Sequence, residues 1–369
     1  MKVEREIAGF SLPFAAGTAV SAYLAESSYE LCICCSTPAL MLVLGMTAIL
    51  SGQGSVNCTR DLQKLITALL GFFLGTFCSL TAEMADLSVH IPMLAQKAER
   101  LGIAMQEACD AVPYESKSTN AILKALITGE RNDIPSSVTR TFRESGASHI
   151  LALSGLHLGI IYMIISRMLS VAGKHRTAIL TRSAITTCTC IIYTFATGAG
   201  PSISRALLFI ILNETASVSE RHRSSATIFL SALLIQLSLS PLSIRSVGFQ
   251  LSYAAMAGIV FIYPSLRKLW PGNGLNGKAS PVRRIWDSAA LSISCQITTG
   301  PLAYIHFESF PVHFILTNLI AMPIIGILIP SAVAVTLLNV AGSCPDILIR
   351  FTEDMVKALT FSLSVISGM

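Results

Sequence analysis

Charge is scarce in this sequence. Only 13% of its residues are Asp, Glu, Lys or Arg, 52% are hydrophobic and the mean hydropathy is +0.65, which excludes an ordinary soluble domain of 369 residues. No Gly-rich phosphate loop and no dinucleotide fingerprint is present, so nothing in the chain provides for ATP hydrolysis, and no cofactor is expected. Gly-x-Ser-x-Gly, the usual setting of a serine nucleophile, is missing as well. No Ala-x-Ala-like cleavage site follows the apolar run 7–25, so this run reads as a first span and not as a signal peptide, despite Lys2 and Arg5 ahead of it. Internal repeats and low-complexity segments are absent.

What remains is a series of apolar runs at about 7–25, 31–50, 62–82, 148–171, 177–197, 202–218, 224–239, 247–263, 288–305 and 312–340. A crossing takes ~20 mostly apolar residues, and the pattern predicts an all-α polytopic bundle of about ten transmembrane helices. The last run is long enough for two short segments, with Pro323 and Pro330 expected to break or kink it. Ten cysteines fall mostly inside these runs and act as small hydrophobes. Cys32, Cys34 and Cys35 have no nearby His to complete a metal site.

Short cytoplasmic loops hold an excess of Lys and Arg. With the N-terminus in the cytoplasm, 17 of the 26 basic residues face inward and the short outer loops keep only Arg205 and Arg245. The remaining seven lie in a long outer segment, 83–147, beside nine acidic residues, so this segment is no electrostatic grip for nucleic acid. It reads as three helices: 92–111, then 119–128 closed by Gly129, then one from Ser136 or Ser137 to Gly146. The resulting organisation is 1–82 as N-terminal spans, 83–147 as the outer helical segment, 148–341 as a transmembrane core and 342–369 as an interfacial or truncated tail.

The stretch from His149 to Gly159 is the most informative. It opens an apolar run yet carries His149, Ser154 and His157, where hydrocarbon rejects polar groups. On one continuous helix Ser154 and His157 would lie about 60° apart and His149 and His157 about 80° apart, close to one face. Gly155 and Gly159 would let another backbone approach. Other spans each hold a polar group: Gln236, Gln250, Gln296, Asn318 and Asn213, with Glu214 beside the last. Singly these are interhelical glue; together with Ser154, His157 and Arg205 they outline a polar path. Arg205 alone reads as snorkelling to headgroups, and Glu214 as pairing with Arg221 or Arg223. A Ser154–His157 nucleophile and base pair lacks an acidic partner to orient the imidazole. His306, Glu308 and His313 read as an ordinary interfacial loop in preference to a metal site, so neither a catalytic nor a metal residue is assigned.

Several ordered signatures carry a resemblance over roughly residues 121–330. They are Gly129-Glu130-Arg131, Phe142 with Gly146, the His-x-x-Ala-x-Ser-Gly-x-His pattern from His149 to His157 followed by Gly159, and Gly200-Pro201-Ser202 with Arg205-Ala206. Gly248 to Ala254, Gln296 to Pro301 with His306-Phe307, and Asn318-Leu319 with Pro323 complete the set. The set resembles the ComEC-type competence proteins, inner-membrane channels that pass one strand of incoming DNA into the bacterial cytoplasm.

The resemblance implies a multi-pass protein of the bacterial cytoplasmic (inner) membrane that takes up single-stranded DNA and is not an enzyme. Many members carry an outer OB-fold domain and a metallo-β-lactamase-like domain; this sequence has no β-rich insert and no His-x-His-x-Asp-His motif. The implied role is therefore the channel core, with membrane lipid around it and a DNA receptor, nuclease and cytoplasmic motor as separate proteins, and with room for homo-oligomers. His149, Ser154, Gly155, His157, Gly159, Arg205, Gln250, Gln296 and Asn318 are the motif or path-lining residues. The alternative is a secondary transporter of a small polar solute, using a broken helix near Pro323 and Pro330.

Overall fold

The computed structural model describes residues 2–52, 60–84, 92–173, 175–219, 224–269, 281–308 and 313–368. Among them the regular elements are all helical: α1 Lys2–Gly52, α2 Arg60–Met84, α3 Pro92–Asp110, α4 Lys117–Thr128, α5 Ser136–Glu144, α6 Ser148–Leu151, α7 Gly155–Leu169, α8 Arg176–Ala196, α9 Pro201–Val218, α10 Ser225–Leu239, α11 Val247–Ala257, α12 Tyr263–Lys268, α13 Pro281–Phe307, α14 Phe314–Val340 and α15 Asp346–Ser367. Among the described residues four stretches are long and apolar enough to cross a membrane: Gln63–Ala82, Arg176–Ala196, Val247–Lys268 and Phe314–Val340. Helices α7 and α10 are apolar but shorter. The described residues are thus those of a helical protein with membrane-spanning segments by length and composition. The side chains of Cys32, Cys34 and Cys35, the loop 273–278, and Arg221 and Arg223 lie outside the described residues.

The chain divides into two compact units, Met1–Val89 with Glu220–Phe261, and His90–Ser219 with Ile262–Met369. In the first, glycines set the packing. A Cβ on Gly17 would overlap the Phe72 carbonyl, one on Gly75 the Phe14 carbonyl, and one on Gly71 would lie 2.6 Å from the Phe10 carbonyl oxygen. The Gly71-Phe72-Phe73-Leu74-Gly75 sequence is thus a small-xxx-small contact. The register is parallel: Phe10 meets Gly71 and Phe14 meets Gly75, each 61 positions on. Helix α1 runs unbroken from Lys2 to Gly52, across both of the expected runs 7–25 and 31–50. The first half of α1 also lies along α10: Glu4 accepts from Ser224 Oγ at one end, and the Arg245 guanidinium donates to the Ala22 carbonyl at the other. Replacing Gly75 by Leu is expected to destabilise this unit by about 1–3 kcal/mol through overpacking, read as a lowered midpoint in thermal unfolding of the detergent-solubilised protein.

The helix through α11 and α12 carries a π-turn at Gly258–Ile262, directly upstream of Pro264. The wider turn accommodates a residue that has no N–H to donate.

The second unit is built around α4. Thr119 and every residue from Ala121 to Thr128 are buried, and Ile122, Leu123, Leu126 and Ile127 share one cluster with Phe142, Ile150, Ala321, Ile325, Leu328, Val356 and Leu359. The three helices expected within 83–147 are present, with Gly129 ending α4 at φ 84° and Gly146 following α5 at φ 77°. They do not merely cover the bundle; α4 is its centre. Lys124, 7% exposed, ties the unit together through Asp110 at 3.0 Å and through Asp133. Burial pulls its pKa down, but the bonds to Asp133 and Asp110 more than offset this and hold it above the ordinary lysine value. A raised folded-state pKa makes this contribution complete at neutral pH and lost only as the pH rises through that value.

Helix α14 runs unbroken from Phe314 to Val340 with Pro323 and Pro330 inside it. This corrects the expected break. Residues beyond 346 form one helix, α15, packed on the second unit through Ile349, Val356, Leu359 and Leu363.

Candidate functional site

Residues 148–159 do not form one helix. The short α6 ends at Leu151, Ala152 and Ser154 are extended, and α7 begins at Gly155. The helical-face argument relating His149 to His157 therefore fails, for a physical reason: Ser154 leaves helical geometry (φ −126°, ψ 171°) to cap α7. Its Oγ accepts from Leu156 N at 3.3 Å, and His157 Nδ1 accepts from Ser154 N at 3.1 Å. This is a capping box with His in the place Glu or Gln usually takes.

The cap decides the chemistry of the pair. Ser154 Oγ lies 3.1 Å from His157 Nδ1, a nucleophile-to-base distance. But Nδ1 already accepts the Ser154 backbone N–H, which leaves the neutral ring's proton on Nε2. His157 is 1% exposed and its Nε2 has no partner among the described residues. Asn318 on α14, only 6% exposed, sets its side chain against His149. The buried His157 donor is left unsatisfied, costing about 1–3 kcal/mol unless water or a ligand completes it.

Neighbouring helices hold the break in place. Thr317 Oγ1 donates to the Ser145 carbonyl at 2.5 Å, seating the start of α14 on the turn before α6. His149 sits in that seat with the Phe314 ring centroid 5.6 Å away and Asn318 beside it. On another side Leu153 packs on the left-handed Gly129 that ends α4, and a Cβ there would meet it at 3.4 Å. The Tyr193 hydroxyl on α8 donates to the Ile127 carbonyl at 2.6 Å, anchoring that end of α4. Gly155 lets α9 approach, with Ala206 Cβ 3.0 Å from where its own Cβ would stand.

The expected site residues divide accordingly. His149, Ser154, Gly155, His157 and Asn318 gather at the break, and Arg205 adjoins it through Ala206. Arg205 is 4% exposed, so it is buried in protein and does not snorkel to the surface. Gly159 has open space where a side chain would be and serves no close approach. Gln296 is on α13 with a buried Nε2 lacking a partner among the described residues; nothing joins it directly to the break. Gln250 belongs to the first unit, where its amide donates to the Tyr23 hydroxyl and the Ile244 carbonyl, both at 2.9 Å.

Other polar groups prove to be glue. Glu214 accepts from the Tyr162 hydroxyl at 2.5 Å across α7 and α9, a partner the sequence reading did not name, and Gln236 accepts from Tyr253 at 2.9 Å. Among the described residues no group of three His, Cys, Asp or Glu is placed to hold a metal. The arrangement offers neutral donors and acceptors inside an apolar bundle.

Residues 126–369 match the family described as "Competence protein". The chain is similar to "ComE operon protein 3" of Bacillus subtilis (strain 168), 25% identical over 229 residues that make up 61% of this chain and 27% of that protein. It is also similar to "Uncharacterized protein YcaI" of Escherichia coli (strain K12), 24% identical over 294 residues, 76% of this chain and 37% of that one. The matches thus span well under half the length of these relatives. No solved structure matches.

Proposed function

This chain belongs to the competence protein family, and from that membership we infer that it is the membrane-embedded core of a conduit for single-stranded DNA. The observation that supports this reading is the pair of buried donors without a partner among the described residues, His157 Nε2 and Gln296 Nε2. They stand in otherwise apolar helices, where a polar group without a partner marks a water-filled or ligand-filled interior. A hydrated path of this kind suits a strand whose bases and backbone both need polar contact.

The proposal includes about ten crossings of the bacterial inner membrane with the N-terminus and the basic loops in the cytoplasm. Receptor, nuclease and motor are separate proteins in this reading, and copies of the chain can associate. The chain is not itself an enzyme: His157 Nδ1 is spent on the Ser154 backbone and is not poised to deprotonate its hydroxyl. The small-solute carrier loses its main support, since α14 has no break at Pro323 or Pro330.

The test is complementation. A naturally transformable strain lacking its own channel gene is supplied with this chain or with empty vector, and expression is followed by membrane blot. Restored transformation and entry of fluorescent DNA into the cytoplasm are expected. A well-expressed chain that restores neither, yet drives uptake of a small solute into liposomes, overturns the reading.

A further inference from the structure

Away from the buried break, the second unit has a cavity of about 620 Å³ between α3, the end of α4 and the turn joining α8 to α9. That size falls among small-ligand sites, about 300–1,000 Å³. Its floor is closed by Gly102, whose missing side chain lets α3 rest on the Ala196 carbonyl. Its apolar surface comes from Ile103 and Phe195, about half exposed at 48% and 53%. Among its lining residues, Glu99, Gln106 and Glu130 have side chains able to accept hydrogen bonds. Glu130 accepts from Asn132 N at 2.9 Å through one carboxylate oxygen.

The turn that follows α8, just after Phe195, is strained. Gly198 has φ 84°, and Ala199 has φ 48°, a left-handed conformation that costs a residue with a Cβ about 1–2 kcal/mol. It is held by Ala199 N donating to the Thr194 carbonyl at 2.8 Å and Ser204 Oγ donating to the Ala199 carbonyl at 2.9 Å. Strain maintained beside a cavity is where function is sought.

We propose that this cavity receives an unstacked nucleobase bearing an exocyclic amino group, at the point where the strand meets the outer end of the bundle. This rests on the conduit reading and names which part of the strand is held there. Two carboxylates repel phosphate, so the backbone stays outside, beside the exposed Arg131 that follows Glu130. The planar base enters, stacks on Phe195 and donates its amino hydrogens to Glu99, Glu130 or Gln106. Adenine, cytosine and guanine carry such a group and thymine does not. The pocket therefore tolerates most sequences and disfavours thymine, which suits a conduit for DNA of any origin.

The experiment uses the full chain in lipid nanodiscs with short oligothymidylates carrying one central 5-iodocytosine or one central 5-iodouracil. Irradiation followed by peptide mapping locates the crosslink. The iodocytosine strand is expected to attach at Phe195 several-fold more than the iodouracil strand, and the Glu99→Leu, Gln106→Leu, Glu130→Leu triple variant, which removes the three side-chain acceptors, is expected to erase the difference. Retention of the fold by the variant is checked by circular dichroism. Equal yields from the two bases in the wild type, or attachment confined to other elements, overturns the base pocket and leaves the conduit standing. If neither strand crosslinks anywhere on folded protein, the conduit reading fails together with it.

Discussion

Replacing His157 by Ala is expected to reduce transformation to the empty-vector level while the protein still accumulates in the membrane. Two roles converge on this one side chain. Its Nδ1 closes the cap of α7, and loss of a cap costs about 0.5–2 kcal/mol, too little to unfold a bundle of this size. Its Nε2 is buried with no partner among the described residues, and that inward donor is lost when the ring is removed. His157→Gln separates the roles. A glutamine at this position can accept the Ser154 N–H as capping boxes usually do, while its amide N–H still donates inward. It is expected to regain part of the transformation frequency, whereas His157→Leu, of similar bulk, regains none. The readouts are transformation frequency and thermal midpoint measured on the same three variants. If the Ala variant transforms like wild type, the break before α7 is not part of the path. If Gln and Leu behave alike at equal thermal midpoints, the inward donor is irrelevant.

How much of this was legible in the sequence depended on the range of the interaction that decides each feature. The helices of 92–146 follow from local signals, a left-handed Gly129 and Gly146 and an N-terminal Ser-Ser pair, and they appear where those signals place them. The break at Ala152–Ser154 was hidden because Ser154 and His157 satisfy a helical period as readily as a cap; Ser followed three residues later by a side chain able to accept was the available sign. The buried position of α4 was hidden for a different reason. Eight of its twelve residues are apolar or Thr on every side, but a lysine in the middle argues for a surface until Asp110 and Asp133 are known to meet it. Their separation in sequence gives no such hint. The acceptor-lined cavity draws on three separate elements, so no periodicity within any one of them could reveal it. Proline failed in the opposite direction: Pro323 and Pro330 each remove one hydrogen bond, and α14 absorbs both losses within an apolar, tightly packed setting.

The orientation of the chain yields the second large effect, an all-or-none labelling pattern. Glu6→Cys and Asn132→Cys, each placed singly in a background with the ten native cysteines replaced, are expected to report opposite sides of the membrane to an impermeant maleimide. Asn132→Cys labels from outside; Glu6→Cys labels only after permeabilisation, as does Arg176→Cys at the start of α8. Both Glu6 and Asn132 are exposed, so protection reports the membrane and not burial in protein. The argument comes from the first unit. In the proposed topology the apolar runs 7–25, 31–50 and 62–82 are three crossings before residue 85, which separates residue 6 from the helices that follow. The Glu4–Ser224 bond puts the start of α1 at the same end as the beginning of α10, directly after the Arg221-His222-Arg223 sequence that marks a cytoplasmic loop. Were α1 instead to cross once as a single rod, α1 and α2 would form two crossings, and Glu6→Cys and Asn132→Cys would label from the same side. That outcome would overturn the reading of 7–25 and 31–50 as separate crossings.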